Sequence, residues 1–307
     1  MQSAQRLRGF AAYLTAAALW GVNGSVSKAL LDTGISSMRL SQIRVSLACL
    51  VLFVVIALTN RAALRINGRR EFALLAAYGL AGVTLTQWLY FVAIHLLPVG
   101  VALVIEFTAP LMVAVWVKFA WSHHVPRLAW LGLAVALAGL VMVTEVWAGF
   151  RLDGIGVLAA LGAAAALAVY YLAGERALYA EQPRDPLSLT MWGFAFASAF
   201  WAIVQPWWSF PWQYLSGTLP FLPGADPLPR AGLAAWMIVL GTVLPFWLAL
   251  VSMRYLSAQQ ASAAGMTEPV LASLVAWLVL GEVLSGWQIL GGVVTLSGIA
   301  IAEVARR

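Results

Sequence analysis

The chain has little charge. It carries 18 Lys and Arg and 12 Asp and Glu in 307 residues, or 10%, where an average soluble domain is about a quarter charged. A surface that poor in charge cannot solvate a fold of this length in water, which excludes a cytosolic enzyme or a nucleic-acid binder. A single cysteine, Cys49, excludes an internal disulfide framework and reads as a small buried hydrophobe. His95, His123 and His124 have no Cys or Asp cluster beside them, so no metal site is expected. No GxxxxGK[ST] phosphate loop, GxSxG elbow or HExxH pair occurs, so neither direct ATP drive nor the common hydrolase chemistries are expected, and no cofactor is implied.

What the chain has instead is hydrocarbon. Its residues are 63% hydrophobic with 15 Trp, and the mean hydropathy is +0.89. A membrane helix needs about 20 mostly apolar residues. Runs of that kind place ten spans, at 10–31, 38–59, 72–95, 99–121, 128–146, 153–174, 187–206, 231–254, 259–280 and 286–303. Leu97-Pro98-Val99-Gly100 breaks one long uncharged stretch, and Gln205-Pro206 opens a Pro- and Gly-rich loop in another. The basic start at Arg6 and Arg8 also fits a signal peptide, but the apolar run that follows is too long for one and reads as the first span. Barrel strands would alternate at every second residue, and runs such as 158–169 do not. The fold class expected is an all-α integral membrane protein.

The basic residues set its orientation. With the N-terminus inside, thirteen fall on cytoplasmic ends: Arg6, Arg8, Arg61, Arg65, Arg69, Arg70, Lys118, Arg127, Arg176, Arg184, Arg254, Arg306 and Arg307. Only Lys28, Arg39, Arg151 and Arg230 fall on the other side, and Arg44 lies within the second span. Ten transmembrane helices with both termini cytoplasmic follow, and the net charge of +6 is a topology signal rather than a nucleic-acid surface.

The chain also repeats. Shifted by 159 positions, 74–139 aligns without gaps on 233–298, pairing Gly82 with Gly241, Trp88 with Trp247, Thr108 with Thr267, Pro110 with Pro269, Gly132 with Gly291 and Gly139 with Gly298. A weaker echo at offset 145 pairs Gly9 with Gly154. Five spans per half is an odd number, so the halves 1–147 and 148–307 enter the membrane in opposite senses, as two inverted five-helix repeats. Inverted repeats are the usual construction of secondary transporters, with the substrate site near the midplane. Each half carries Thr-x-Pro within a span, at Thr108-Ala109-Pro110 and Thr267-Glu268-Pro269, and each proline frees a carbonyl four residues earlier. Pro110 and Pro269 are therefore candidate kink or gating positions, although a passive bend would leave the same signature.

Three ionisable residues lie well inside spans: Arg44, Glu106 and Glu268. Arg44 and Glu106 lie at similar depth, as an ion pair or as partners for the two ends of a zwitterion. Glu268 is suited to an ammonium group, a coupling proton or interhelical hydrogen bonds. Lys28 and Glu282 lie near span ends, where snorkelling is cheap. Asn23, between Gly21 and Gly24, is an interhelical hydrogen-bonding residue or a site residue. Among the aromatics, Trp207, Trp208 and Trp212 mark an interface, and Trp192, Phe196 and Phe200 share one face of the seventh span, facing lipid. Trp20, Tyr78, Trp88, Tyr90, Tyr170 and Trp247 are the candidates for a cavity wall.

Ala18-Leu19-Trp20-Gly21-Val22-Asn23 and the stretch Glu268-Pro269-Val270…Leu280-Gly281-Glu282…Gln288-Ile289-Leu290-Gly291-Gly292…Gly298 resemble the ten-helix EamA-type exporters of the drug/metabolite transporter superfamily, as does Arg44 in the second span. Ile105-Glu106-Phe107-Thr108-Ala109-Pro110 is similar to the fourth helix of its amino-acid exporters, of the threonine/homoserine and aromatic types. Glu282 departs from symmetry, since the first half has His123 at the matched place. The resemblance implies export of a small molecule, an amino acid by preference, across the bacterial inner membrane by alternating access. The lipid bilayer and the small-molecule substrate are the partners expected, and the sequence leaves the oligomeric state open. A channel or facilitator for another small metabolite, or less readily an intramembrane enzyme, is the competing reading.

Overall fold

The computed structural model describes residues 2–149, 153–221, 226–280 and 283–305; Arg151, Glu282, Arg306 and Arg307 lie outside the described residues. Ten helical segments appear among the described residues. They are α1 (Gln2–Leu31), α2 (Ser37–Thr59), α3 (Arg69–Leu96), α4 (Val99–Phe119), α5 (Arg127–Val143), α6 (Gly154–Leu178), α7 (Pro186–Val204), α8 (Arg230–Ser252), α9 (Ala258–Gly265 and Glu268–Leu280) and α10 (Gly286–Val304). Eight are long and apolar enough to cross a membrane, α5 is a shorter apolar helix, and α1 runs eight residues further towards the N-terminus than its apolar stretch. The protein is an all-α, multi-pass membrane protein. The only sheet among the described residues is a two-stranded ribbon, Thr218–Leu219 against Leu228–Pro229, in the connection after α7.

Short polar side chains start the helices by taking up their free N–H groups. Ser36 accepts from the amide of Arg39, Asp153 from Gly156, and Asp185 from Leu187 and Ser188. Ser257 with Gln260 and Ser285 with Gln288 form capping boxes at α9 and α10.

The repeat is visible as geometry. π-helical turns occupy Ala77–Leu85 in α3 and Val239–Val243 in α8, at matched places. Their extra carbonyls are met by hydroxyls, Thr84 donating to Gly79 O and Thr242 to Met237 O, both at 2.9 Å. The glycines of α5 and α10 meet reciprocally. A Cβ on Gly132 would lie 2.6 Å from Gly298 O, and one on Gly139 would lie 2.7 Å from Gly291 O. Position 132 thus faces the twin of 139, and 139 the twin of 132. That crossed pairing requires two antiparallel helices related by a twofold axis perpendicular to them, and only glycine allows the backbones so close.

The first helix of each half follows a different register from the one the offset-145 echo suggests. A Cβ on Gly9 would lie 2.8 Å from Leu256, and one on Gly156 would lie 2.8 Å from Leu97, while Gly154 faces open space. Leu97 and Leu256 are 159 apart, so Gly156, 147 residues after Gly9, is its structural twin. The Trp192–Phe196–Phe200 face of α7 is also corrected. Phe196 packs edge-on against Phe72 at 5.3 Å and Phe200 against Trp88 at 5.5 Å, so much of this face is covered by α3 rather than turned wholly to lipid.

Gly139→Ala should destabilise the protein by about 1–3 kcal/mol, the ordinary cost of overpacking. Gly154→Ala, with nothing within 4 Å of the new methyl, should leave stability unchanged or slightly raised. Thermal unfolding of the two purified variants in detergent checks this, and equal midpoints would contradict the reciprocal glycine contact.

Candidate functional site

Both Thr-x-Pro elements interrupt their helices instead of merely bending them. Helix α4 stops at Glu106 and resumes at Ala109, and α9 stops at Gly265 and resumes at Glu268. Proline supplies no N–H to the carbonyl four residues before it, so the turn opens. Thr108 Oγ1 donates to Ile105 O at 2.6 Å and Thr267 Oγ1 donates to Ala264 O at 2.7 Å, closing both breaks in the same way. Irregular backbone at membrane depth is tolerated only where protein or a water-filled cavity receives it.

A cavity of about 320 Å³ lies against these breaks. Tyr13, Trp20, Gly24, Ser27 and Leu31 of α1 line it as one stripe, spanning about 27 Å of helix at 1.5 Å per residue. Ser37, Leu40, Ser41 and Arg44 line it from α2, Thr86, Gln87, Tyr90 and Phe91 from α3, and Leu103, Glu106 and Phe107 from α4. The second half adds Leu167, Tyr170 and Tyr171 of α6, Phe246 of α8 and Glu268 of α9. Counting residues from the helix ends opposite the termini, Arg44, Glu106, Tyr90 and Asn23 lie at one level, about 9–12 Å deep. Tyr13, Tyr171 and Glu268 form the floor. There the Tyr13 and Tyr171 hydroxyls are 2.5 Å apart, and a Cβ on Gly265 would come within 2.6 Å of the Tyr171 oxygen.

Of the residues expected to form the site, Arg44, Glu106, Glu268, Asn23, Trp20, Tyr90 and Tyr170 line the cavity. Tyr78, Trp88 and Trp247 do not. Tyr78 is fully buried behind the wall, stacked on Tyr170 at 5.2 Å. Trp88 packs against Phe200, and Trp247 follows Phe246, which takes the cavity side one residue earlier, about 100° round the helix. Tyr13, Ser27, Ser41, Gln87, Tyr171 and Phe246 also line the cavity although the sequence did not single them out. Tyr13 and Ser27 lie seven residues either side of Trp20, a spacing that puts them on its helix face. Trp20 meets Phe246 edge-on at 5.2 Å, and Phe246 meets Tyr170 at 6.0 Å, so aromatic rings join three helices along the wall.

Arg44, Glu106 and Glu268 make no ion pair with one another or with any other group among the described residues. The pair that similar depth suggested for Arg44 and Glu106 is absent. Arg44 Nε and Asn23 Oδ1 are buried without a hydrogen-bond partner. The Asn23 side chain fills the notch left by Gly241, where a Cβ would lie 2.1 Å from its oxygen. Lys28 is exposed near the end of α1, as a snorkelling side chain would be.

The two ends of the cavity differ. At the terminus side, Ala258–Gly265 of α9 is buried at all eight positions. Its repeat twin Val99–Glu106, at the opposite side, buries only Val101 and Ala102. The three ion pairs among the described residues, Arg6–Glu303 at 3.9 Å, Arg184–Glu71 at 2.6 Å and Arg254–Asp185 at 3.3 Å, all tie helix ends on the terminus side. Glu175 of α6 accepts from the amide of Ala258 at 3.1 Å, fixing the start of α9 there, and Gln260 donates to Glu303 at 2.9 Å. The cavity is sealed towards the termini and extends towards the other face.

The profile of the EamA-like transporter family matches this chain twice, over residues 7–145 and 154–303. An uncharacterized transporter of Bacillus subtilis, YdfC, is 23% identical over 87% of this chain and 81% of its own length. The threonine/homoserine exporters RhtA of Salmonella typhimurium and Escherichia coli are 30% identical over 66% of this chain, which spans 62% of their length. A solved crystal structure, 20% identical, covers 100% of this chain and 99% of its own with a TM-score of 0.76, a likeness of fold alone.

With Cys49 replaced by Ser, Ser27→Cys and Ser37→Cys in sealed vesicles should react with a membrane-impermeant thiol reagent applied from the side opposite the termini. Ser262→Cys, on the fully buried half-helix, should stay unmodified from either side. The reverse pattern would contradict a cavity sealed towards the termini.

Proposed function

Since the chain belongs to the EamA-like transporter family, we propose that this membrane transporter exports a small amphiphilic metabolite, an amino acid, across the bacterial inner membrane by alternating access. The observation that carries this reading is a mid-membrane cavity holding one guanidinium and two carboxylates that make no ion pair among the described residues. An α-amino acid carries a carboxylate and an ammonium, the two groups such a site lacks. Arg44 receives the carboxylate, with the fork geometry that suits a guanidinium to that group. Glu106 receives the ammonium at the same level, and Glu268 lies below it on the path towards the termini. Asn23 supplies a polar contact, and Trp20, Tyr90 and Tyr170 form the wall for the side chain. The threonine/homoserine exporters among the relatives favour an amino acid over other zwitterions.

Both termini are assigned to the cytoplasm on the thirteen-to-four excess of basic residues, so the cavity faces outward. The halves 1–147 and 148–307 then exchange conformations. Val99–Glu106 takes the buried position now held by Ala258–Gly265, and the ion pairs on the terminus side separate. Pro110 and Pro269 allow this because the half-helices on either side of each break are joined by few hydrogen bonds. A channel or facilitator for another metabolite is the second reading, and it lacks a reason for eleven charged or aromatic groups on one closed-ended cavity. An intramembrane enzyme is the less favoured reading, since the sequence carries no GxSxG or HExxH motif.

Proteoliposomes tested with a panel of labelled amino acids should show saturable flux and counterflow for at least one. Arg44→Ala and Glu106→Gln should lower that flux at least tenfold while the variants insert and unfold like the parent. Flux without saturation or counterflow would argue for a channel, and full flux in both variants would remove these residues from the site.

A further inference from the structure

A second pocket, of about 440 Å³, opens on the outside of the bundle between α2 and α7. Cys49, Leu50, Phe53, Trp192 and Ala195 line it, and Leu64 of the α2–α3 connection closes its end on the terminus side. Leu50 and Phe53 are 55% and 48% exposed, so the furrow faces the bilayer and not the substrate cavity. Leu50 lies nine residues before the end of α2, or about 14 Å, roughly half the thickness of a 30 Å hydrocarbon core. Ser46 and Ser198 close the other end, about 18–20 Å from the helix ends on the terminus side, so the furrow runs from that face through its leaflet to just past the midplane.

Its end carries charge. Arg61, Arg65, Arg69 and Arg70 are all exposed on and beside the same connection, and none makes an ion pair among the described residues. The nearby acid Glu71 is taken by Arg184. The connection is also held in place. Arg184 donates to Arg65 O at 2.7 Å and to Ala63 O at 2.8 Å, Ser188 donates to Ala63 O at 2.6 Å, and Arg61 Nε donates to Ala57 O at 2.8 Å. Basic loops set topology wherever they lie on this side. Here an apolar furrow ends at a cluster of guanidinium groups that make no ion pair among the described residues, on a loop held by hydrogen bonds.

We propose that this furrow is a binding site for one anionic phospholipid of the leaflet on the terminus side, with an acyl chain between α2 and α7 and its phosphate held by Arg61 and Arg65. Guanidinium groups bind phosphate in a fork and are drawn to anionic leaflets, while the furrow offers hydrocarbon and no charge. Lipid bound there lies in a furrow beside the direct contact of α2 with α7, where Cys49 Sγ meets Met191 O at 3.8 Å, and touches one helix from each half.

The test uses the full-length protein and dioleoyl phosphatidylglycerol against dioleoyl phosphatidylcholine. In native mass spectrometry the parent should retain one phosphatidylglycerol at least fivefold more than phosphatidylcholine. Arg61→Gln with Arg65→Gln should remove that preference, and Ala195→Phe, which fills the furrow, should lower retention of both lipids. Should Ala195→Phe fail to fold, a phosphatidylglycerol with an acyl-chain diazirine, photolysed with the parent protein, should label residues 46–53 and 191–198. Equal retention of the two lipids by the parent, unchanged preference in the double variant, or label spread evenly over the lipid-facing helices would each overturn the proposal.

Discussion

In hydrocarbon every backbone N–H and C=O must find its partner within the protein, and the layout of this molecule follows from that constraint. Eight of the ten helices run without an interruption, two of them by way of π-turns whose surplus carbonyls are taken by Thr84 and Thr242, the one in α8 lying just before Pro245. Among the described residues α4 and α9 are the helices interrupted outright, at their Thr-x-Pro elements, and both breaks lie in the interior against the cavity. A break facing lipid would cost several kcal/mol for each stranded group. The prolines therefore fix where a cavity can be, and the cavity fixes which residues reach a ligand.

The twofold relation then divides the molecule into what is alike and what is not. The α5–α10 glycines, the π-turns, the threonine closures of the breaks and the Gly9–Leu256 and Gly156–Leu97 contacts are alike in the two halves. They form the frame. The differences gather at the cavity. Glu106 has Gly265 as its twin and Glu268 has Ala109, so the two carboxylates come from opposite sides of two equivalent breaks. Asn23 and Tyr170 occupy equivalent notches, against Gly241 and Gly82, and put an amide where the other half puts a phenol. Asymmetric groups within the frame give the cavity a chemistry of its own.

Much of this was legible in the sequence because it rests on local rules. Proline breaks helices wherever it lies, glycine spacing marks close packing, and a gapless repeat carries both from one half to the other. The register of α1 against α6 was not legible, because few identities survive there and the echo at offset 145 rested on end residues. Nor could the sequence tell a cavity face from a buried one on α3 and α8, where both are apolar. Tyr78 and Tyr90 look alike in sequence, yet one lies behind Tyr170 and the other lines the space. The seal towards the termini was invisible for another reason. Arg6, Arg184 and Arg254 counted as topology markers, and their acids Glu303, Glu71 and Asp185 are far away in the chain.

The separation of Arg44 from Glu106 bears on what such a site can be for. Placing a charge at the centre of a bilayer costs about 2.5–3.5 kcal/mol on the insertion scale and more on others, and pairing is the cheapest relief. Helices α2 and α4 bring the two groups to one depth around one cavity, so a chain selected for stability alone would let them meet. They form no ion pair, and α9 adds a second carboxylate that has none among the described residues. A site built this way is under-satisfied when empty and gains most from a guest that brings both signs of charge. A guest with one sign satisfies one wall and leaves the other exposed. Removing one partner of a buried charge costs more than the pair contributes, so on the amino-acid reading proposed above the same arrangement would favour a zwitterion over its singly charged analogues.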